Sequence, residues 1–242
     1  MNLIVDVGNT FVKLAIFQNE KLLYKESISL DNFIENLKSL AIKYPKIDNT
    51  IVSSVGKLNE DQANFLEKNY NPLELNYKTK LPFKNSYESP KTLGVDRMAL
   101  VSASANQFPN KNVLIIDSGT CITYDFITTE NEYLGGAISP GIKMRYQALN
   151  NFTANLPLLE IHSPEDLVGR STKDSIHSGI IFGVLGEIEG VISKYEEKYS
   201  DLTVILTGGD SNFLSKQLKS SIFANSNFLL EGLNYILQFN SD

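Results

Sequence analysis

The stretch Leu114-Ile115-Ile116-Asp117-Ser118-Gly119-Thr120 restates Leu3-Ile4-Val5-Asp6-Val7-Gly8-Asn9-Thr10, with one residue fewer in its turn. Each copy is a nearly continuous apolar run of the kind a buried strand needs, and each ends on an aspartate and a glycine turn. A second strand follows at 12–17 and at 122–127, and a third at 21–29 and near 132–138. Three strands followed by helices, restarting close to the middle of the chain, predict a duplicated α/β protein with halves 1–111 and 112–242.

The intervening segments read as helices and further strands. Phe33, Ile34, Leu37, Leu40 and Ala41 recur at helical spacing over 31–44, with Asp31 placed to cap them. A short buried strand is expected at 50–55, and Asn59 with Gln62 opens a second helix. A long helix over 178–197 carries Ile180, Ile181, Val184, Leu185, Ile188, Val191, Ile192 and Tyr195 as a core stripe. The last buried strand, 202–206, runs into Thr207-Gly208-Gly209-Asp210.

Composition narrows the function. The net charge is −6 and the basic residues are scattered, so neither nucleic acid nor an anionic membrane is an expected partner. Cys121 is the only cysteine, which excludes an intrachain disulfide and a thiolate zinc site. His162 and His177 lack ligand-like spacing and receive no role. With no signal-like N-terminus and no run of about 18 apolar residues, a cytoplasmic location is expected.

A carboxylate at the end of a buried strand, followed by a glycine turn, has a specific use. Glycine lets the backbone approach a phosphate, and turn N–H groups and a threonine hydroxyl donate to its oxygens. The carboxylate of Asp6 would hold the Mg²⁺ that accompanies ATP. Lys13 sits on the outgoing strand, within reach of a phosphate. Gly208-Gly209 would let a helix start close to a flat ligand. Gly94-Val95-Asp96-Arg97 supplies what a transfer reaction needs in addition: Asp96 to accept the proton of an attacking hydroxyl, and Arg97, a planar fork, to bind a carboxylate or the moving phosphoryl group.

Together these residues resemble the type III pantothenate kinases of the acetate and sugar kinase, heat-shock chaperone and actin superfamily. The family's D-x-G-N-T-x-x-K motif matches Asp6, Gly8, Asn9, Thr10 and Lys13; G-x-D-R matches Gly94, Asp96 and Arg97; D-x-G-T matches Asp117, Gly119 and Thr120. Gly135 through Gly141, Gly169-Arg170-Ser171-Thr172, Thr207-Gly208-Gly209 and Leu230-Glu231-Gly232-Leu233 follow in order, so the likeness covers nearly the whole chain.

The resemblance implies duplicated ribonuclease H-like (actin-like ATPase) domains with mixed sheets flanked by helices, and an active site in the cleft between them. It implies ATP-dependent phosphorylation of pantothenate, the first step toward coenzyme A. Asp96 would be the catalytic base. Asp6, Val7, Gly8, Asn9, Thr10, Phe11, Val12 and Lys13 would hold the phosphates, and Thr120 would contact ATP. Asp117 would bind a monovalent cation, K⁺ or NH₄⁺. Tyr87, Gly94, Val95, Asp96, Arg97 and Thr172 would contact pantothenate, with Thr172 reaching in from the partner of a homodimer. Cys121 stands where many members have alanine and should be a packed, unreactive thiol. The alternatives are another small-molecule kinase of the superfamily, such as a sugar kinase, for whose inserted subdomain 242 residues leave little room, or a non-catalytic ATP-binding regulatory protein, over which Asp96 and Thr172 favour an enzyme.

Overall fold

The structure, a computed structural model, describes residues 1–8 and 11–241. By contact the chain forms two units. One comprises Met1–Pro109 with Asn131–Tyr133 and Asn227–Asp242; the other comprises Asn110–Glu130 and Leu134–Ser226.

The first unit opens with three antiparallel strands, β1 (Asn2–Val7), β2 (Val12–Gln18) and β3 (Lys21–Ile28). Helix α1 (Phe33–Lys43) leads to β4 (Asn49–Ser54), which pairs parallel to β1, and α2 (Glu60–Tyr70) leads to the short β5 (Leu73–Glu74). The sheet order is β3-β2-β1-β4-β5. Leu3, Val5, Leu14 and Ile16 bury against Phe33, Leu37, Leu40 and Leu66, each contributing about 1.5–3 kcal/mol of transfer free energy. The expected start of α2 holds: Asn59 Oδ1 accepts from the Gln62 N–H (2.9 Å), and Gln62 Oε1 accepts from the Asn59 N–H (3.0 Å), a reciprocal capping box. The expected cap at Asp31 does not. The chain enters α1 through a 3₁₀ turn, Leu30–Asn32, so Asp31 lies inside that turn and Asn32 occupies the cap position without a side-chain bond. Beyond β5 come β6 (Lys84–Asn85) and helix α3 (Val95–Gln107).

The second unit repeats the plan. Strands β7 (Asn112–Ser118), β8 (Cys121–Ile127) and β9 (Glu132–Pro140) are followed by α4 (Ile142–Asn151) and α5 (Thr172–Lys198). The parallel strand β10 (Leu202–Thr207), the short α6 (Ser211–Leu214) and β11 (Phe223–Ala224) complete it. The second sheet runs β11-β10-β7-β8-β9-β6. Strands β9-β8-β7-β10-β11 therefore take the same order as β3-β2-β1-β4-β5, the topology a duplicated unit requires.

Helix α5 begins six residues before the sequence expectation, because Ser171 caps it: its Oγ accepts from the Asp174 N–H at 3.1 Å. By length and composition α5 is apolar enough to cross a membrane. Its stripe is instead spent inside the unit, where Ile176, Ile180, Ile181, Val184 and Ile188 pack on Leu114, Ile116, Ile122 and Tyr124.

The C-terminal helix α7 (Phe228–Phe239) groups by contact with the first unit, whereas the division at 111/112 assigns it to the second half. It crosses α3 at Gly232, where a Cβ would stand 1.9 Å from the Ala99 carbonyl oxygen. Only glycine allows that approach. Asn234 ties α7 further in, accepting from Asn2 Nδ2 and donating to the Asn19 carbonyl, both at 2.8 Å.

Candidate active site

In the first unit the β1–β2 register sets Asp6 opposite Lys13, and the Lys13 Nζ lies 3.6 Å from Asp6 Oδ2. Val7 and Val12 pair beside them, fully buried, and the Gly8 N–H donates to the Phe11 carbonyl at 3.0 Å to close the turn. Phe11 is exposed. The calls on Asn9 and Thr10 lie outside the described residues. Asp6 is buried, and burial pushes its carboxyl above the ordinary range; the Lys13 ammonium pulls it back and the charge of Asp96 pushes it up again.

That last influence puts Asp96 within electrostatic range of Asp6. Asp96 lies in the first turn of α3, after Gly94 at the cap position and Val95, and its Oδ1 accepts from the Arg97 N–H at 2.8 Å. A helix N-terminus attracts anions. Arg97 is buried to 5% exposure, with its guanidinium 5.5 Å from the centre of the Tyr87 ring and 6.0 Å from that of Tyr133. The structure thus brings Asp6 and Lys13 together, with Asp96 in electrostatic range of Asp6, and Tyr87 together with Arg97.

In the second unit β7 and β8 form the matching hairpin, with Asp117 opposite Thr123 and the Gly119 N–H donating to the Cys121 carbonyl at 2.9 Å. Thr120 is exposed in the turn, and its carbonyl accepts from the Gly141 N–H at 3.2 Å. The turn after β10 lies directly against this hairpin. Gly208 has φ +92°, and a Cβ there would stand 2.3 Å from Asp117 Oδ1 and 2.2 Å from the Ser118 carbonyl oxygen. A residue that the sequence reading left without a role, Asp210, joins the cluster: its N–H donates to the Ser118 carbonyl at 3.0 Å, and burial raises its carboxyl, opposed by a hydrogen bond from the Ser118 hydroxyl. Its position two residues after Gly208, at the end of a buried strand, is the signal that would have found it.

Thr172 is the first residue of α5 and is exposed. It lines an open groove of about 740 Å³ with Arg145, Leu149, Leu156, Ser175 and Gly179. His177 is a core residue, its Nδ1 2.7 Å from the Tyr146 hydroxyl. Among the described residues no group of three or more His, Cys, Asp or Glu is placed to hold a metal by itself.

Two units of one strand order, each turning on an Asp-x-Gly hairpin, have the duplicated fold of the actin-like ATPase class. The chain matches the model of the type III pantothenate kinase family over residues 2–194, and it belongs to that family. It is 56% identical over 240 residues to a type III pantothenate kinase of Christiangramia forsetii, covering 99% of each chain. It is 45% identical to one of Flavobacterium johnsoniae, covering 100% of this chain and 99% of the other. Among solved structures it is similar to a conserved Baf-family protein of Campylobacter jejuni, with TM-score 0.65, 22% identity and coverage of 99% and 98%. The activity is ATP-dependent phosphorylation of pantothenate, in coenzyme A biosynthesis.

Proposed function

We propose that Asp96 accepts the proton of the pantothenate hydroxyl as that oxygen attacks the γ-phosphorus of ATP. The observation that carries this is the place of Asp96 in the first turn of α3, within electrostatic range of Asp6. The base is then within electrostatic range of the carboxylate that, with its lysine partner, manages phosphate charge. In this reading the hairpin from Asp6 to Lys13, with Asn9 and Thr10, holds the β- and γ-phosphates, and Lys13 offsets the charge of the transferring group. Gly94, Val95, Arg97 and Tyr87 hold pantothenate, and the Arg97 fork meets its carboxylate.

A buried carboxylate raised by burial and by a neighbouring carboxylate fits a divalent cation. Two carboxylates are too few to hold one alone, which suits Mg²⁺ arriving with phosphate oxygens and water as its remaining ligands. When bound, Mg²⁺ neutralises phosphate charge. In the second unit, Thr120 contacts ATP and Asp117 takes a K⁺ or NH₄⁺ ion; the packing of the Gly208 turn on Asp117 and on the Ser118 carbonyl, which collects oxygen atoms, supports this.

The functional form is a homodimer in which Thr172 completes the partner's pantothenate site. Its support is the outer face of α5 and the segment before it. Gly179, Gly183, Gly186 and Gly190 have open space where a Cβ would point, and Phe152, Leu158, Leu167 and Val168 are exposed apolar residues. A second copy would cover both. The enzyme works in the cytoplasm, beside its ATP supply.

An ATP-consumption assay with pantothenate against a panel of sugars tests the acceptor assignment. ADP release should depend on pantothenate; release driven by a hexose and not by pantothenate would contradict it.

A further inference from the structure

We propose that Tyr133 is a positioning residue for the acceptor site, one that fixes Arg97 and Tyr87 so that the Arg97 fork meets the acceptor carboxylate edge-on. The inference rests on the reading of Arg97 as the carboxylate's ligand. Strand β9 is split by contact: Glu132 and Tyr133, with Asn131 before them, belong with the first unit, while Leu134 onward belongs with the second. The Tyr133 side chain is fully buried. Its ring stacks on Tyr87 at 6.1 Å and 25°, and meets Phe83 edge-on at 5.9 Å and 71°. The Arg97 guanidinium lies within cation–π range of both tyrosine rings.

Two tyrosine rings about 6 Å from the guanidinium limit where it can move, and a carboxylate is bound along the guanidinium plane by the parallel N–H donors. The rings are themselves held by the backbone. Asn85 pairs with Tyr133 in the β6–β9 ladder, the Ser86 N–H donates to the Tyr133 carbonyl (3.0 Å), and the Lys84 N–H donates to the Asn131 carbonyl (2.9 Å). Asn131 Nδ2 donates to the Pro82 carbonyl (2.7 Å), Lys84 pairs with Glu132 (2.8 Å), and the Tyr87 N–H donates to Asn85 Oδ1 (3.0 Å). Asn131 and the first two residues of β9, Glu132 and Tyr133, thus fasten the segment that presents Tyr87, and Tyr133 carries that order to Arg97. The role proposed for Tyr133 is carried by its ring face.

The experiment compares steady-state kinetics on pantothenate and on its alcohol analogue, in which CH₂OH replaces the carboxylate. Tyr133→Phe keeps the ring and should keep the preference for pantothenate over the alcohol. Tyr133→Leu should raise KM for pantothenate about five- to tenfold, the scale of one cation–π contact. It should leave KM for ATP unchanged, change kcat less than KM, and shrink the preference for pantothenate over the alcohol. Tyr133→Met, a flexible filler of similar bulk, is made alongside so that a folding defect in one variant does not end the test. Arg97→Met separates the two claims. If it abolishes the preference for the carboxylate and Tyr133→Leu or Tyr133→Met weakens it, the inference stands. If Arg97→Met abolishes the preference while both Tyr133 variants keep it, the positioning role fails and the Arg97 reading survives. If Arg97→Met keeps it, both fail.

Discussion

Asp96 and Asp6, far apart in sequence, stand close enough in the first unit that the charge of Asp96 makes Asp6 easier to protonate. Two carboxylates held near each other, one of them buried, cost stability when both are ionised. A site arranged for a cation and a phosphoryl group has a reason to keep that cost. It also makes the cost measurable in the free enzyme.

The folded-state pKa of Asp6 is raised above its unfolded value near 3.8. The folded chain therefore binds this proton more tightly, and stability falls as pH rises from about 3.8 through the raised value, then stays reduced at neutral pH. Asp6→Asn removes the ionised group, and its ion pair with half-exposed Lys13 is worth little by itself. The ligand-free variant should melt about 2–4 °C higher at pH 7.5, the shift expected for roughly 1 kcal/mol in a chain of this size. The gap should close near pH 4, while phosphorylation is lost. A lower melting temperature at pH 7.5 would show that ionised Asp6 stabilises the fold.

Potassium provides a separate check on the second unit. With Asp117 holding a monovalent cation, activity should require K⁺ or NH₄⁺ and be poor in Na⁺ alone, since Na⁺ is smaller and fits a potassium-sized oxygen cage badly. Asp117→Ala should erase the difference between the salts. Equal wild-type rates in both salts would remove the cation from the account.

The dimer can be tested by complementation. Asp96→Asn and Thr172→Arg homodimers should each be nearly inactive. In a mixed dimer one site carries both lesions and the other neither, so random reassortment of equal amounts should restore about a quarter of wild-type activity. No recovery in mixed dimers verified by differential tags would place Thr172 in its own subunit's site.

Much of this architecture can be read from the chain because burial on both faces writes continuous apolar runs. Leu3 to Val7 and Leu114 to Ile116 locate β1 and β7, and the Asp-x-Gly after each locates the hairpins. The start of α5 is hidden because its first turn is polar and exposed, and its apolar stripe begins only at Ile176. Periodicity shows that α7 has a buried face, but not that Gly232 sets it on α3. Asp96 stands out by its chemistry next to Arg97. Tyr133 carries no such mark: alternation gives its face of the strand, whereas its role depends on pairing with a two-residue strand, β6, too short to announce itself.

The most direct test of the account is the kinetics of Asp96→Asn. The carboxamide keeps the size and the polar contacts of Asp96 but cannot take the hydroxyl proton. With Asp96 as the base, ATP binding measured by calorimetry should be unchanged, and kcat for pantothenate should fall roughly 10²- to 10⁴-fold. The melting temperature should hold steady or rise slightly, because Asp6 then loses a repulsive neighbour. An unchanged kcat with a raised KM for pantothenate would contradict the account and leave Asp96 a substrate-binding residue.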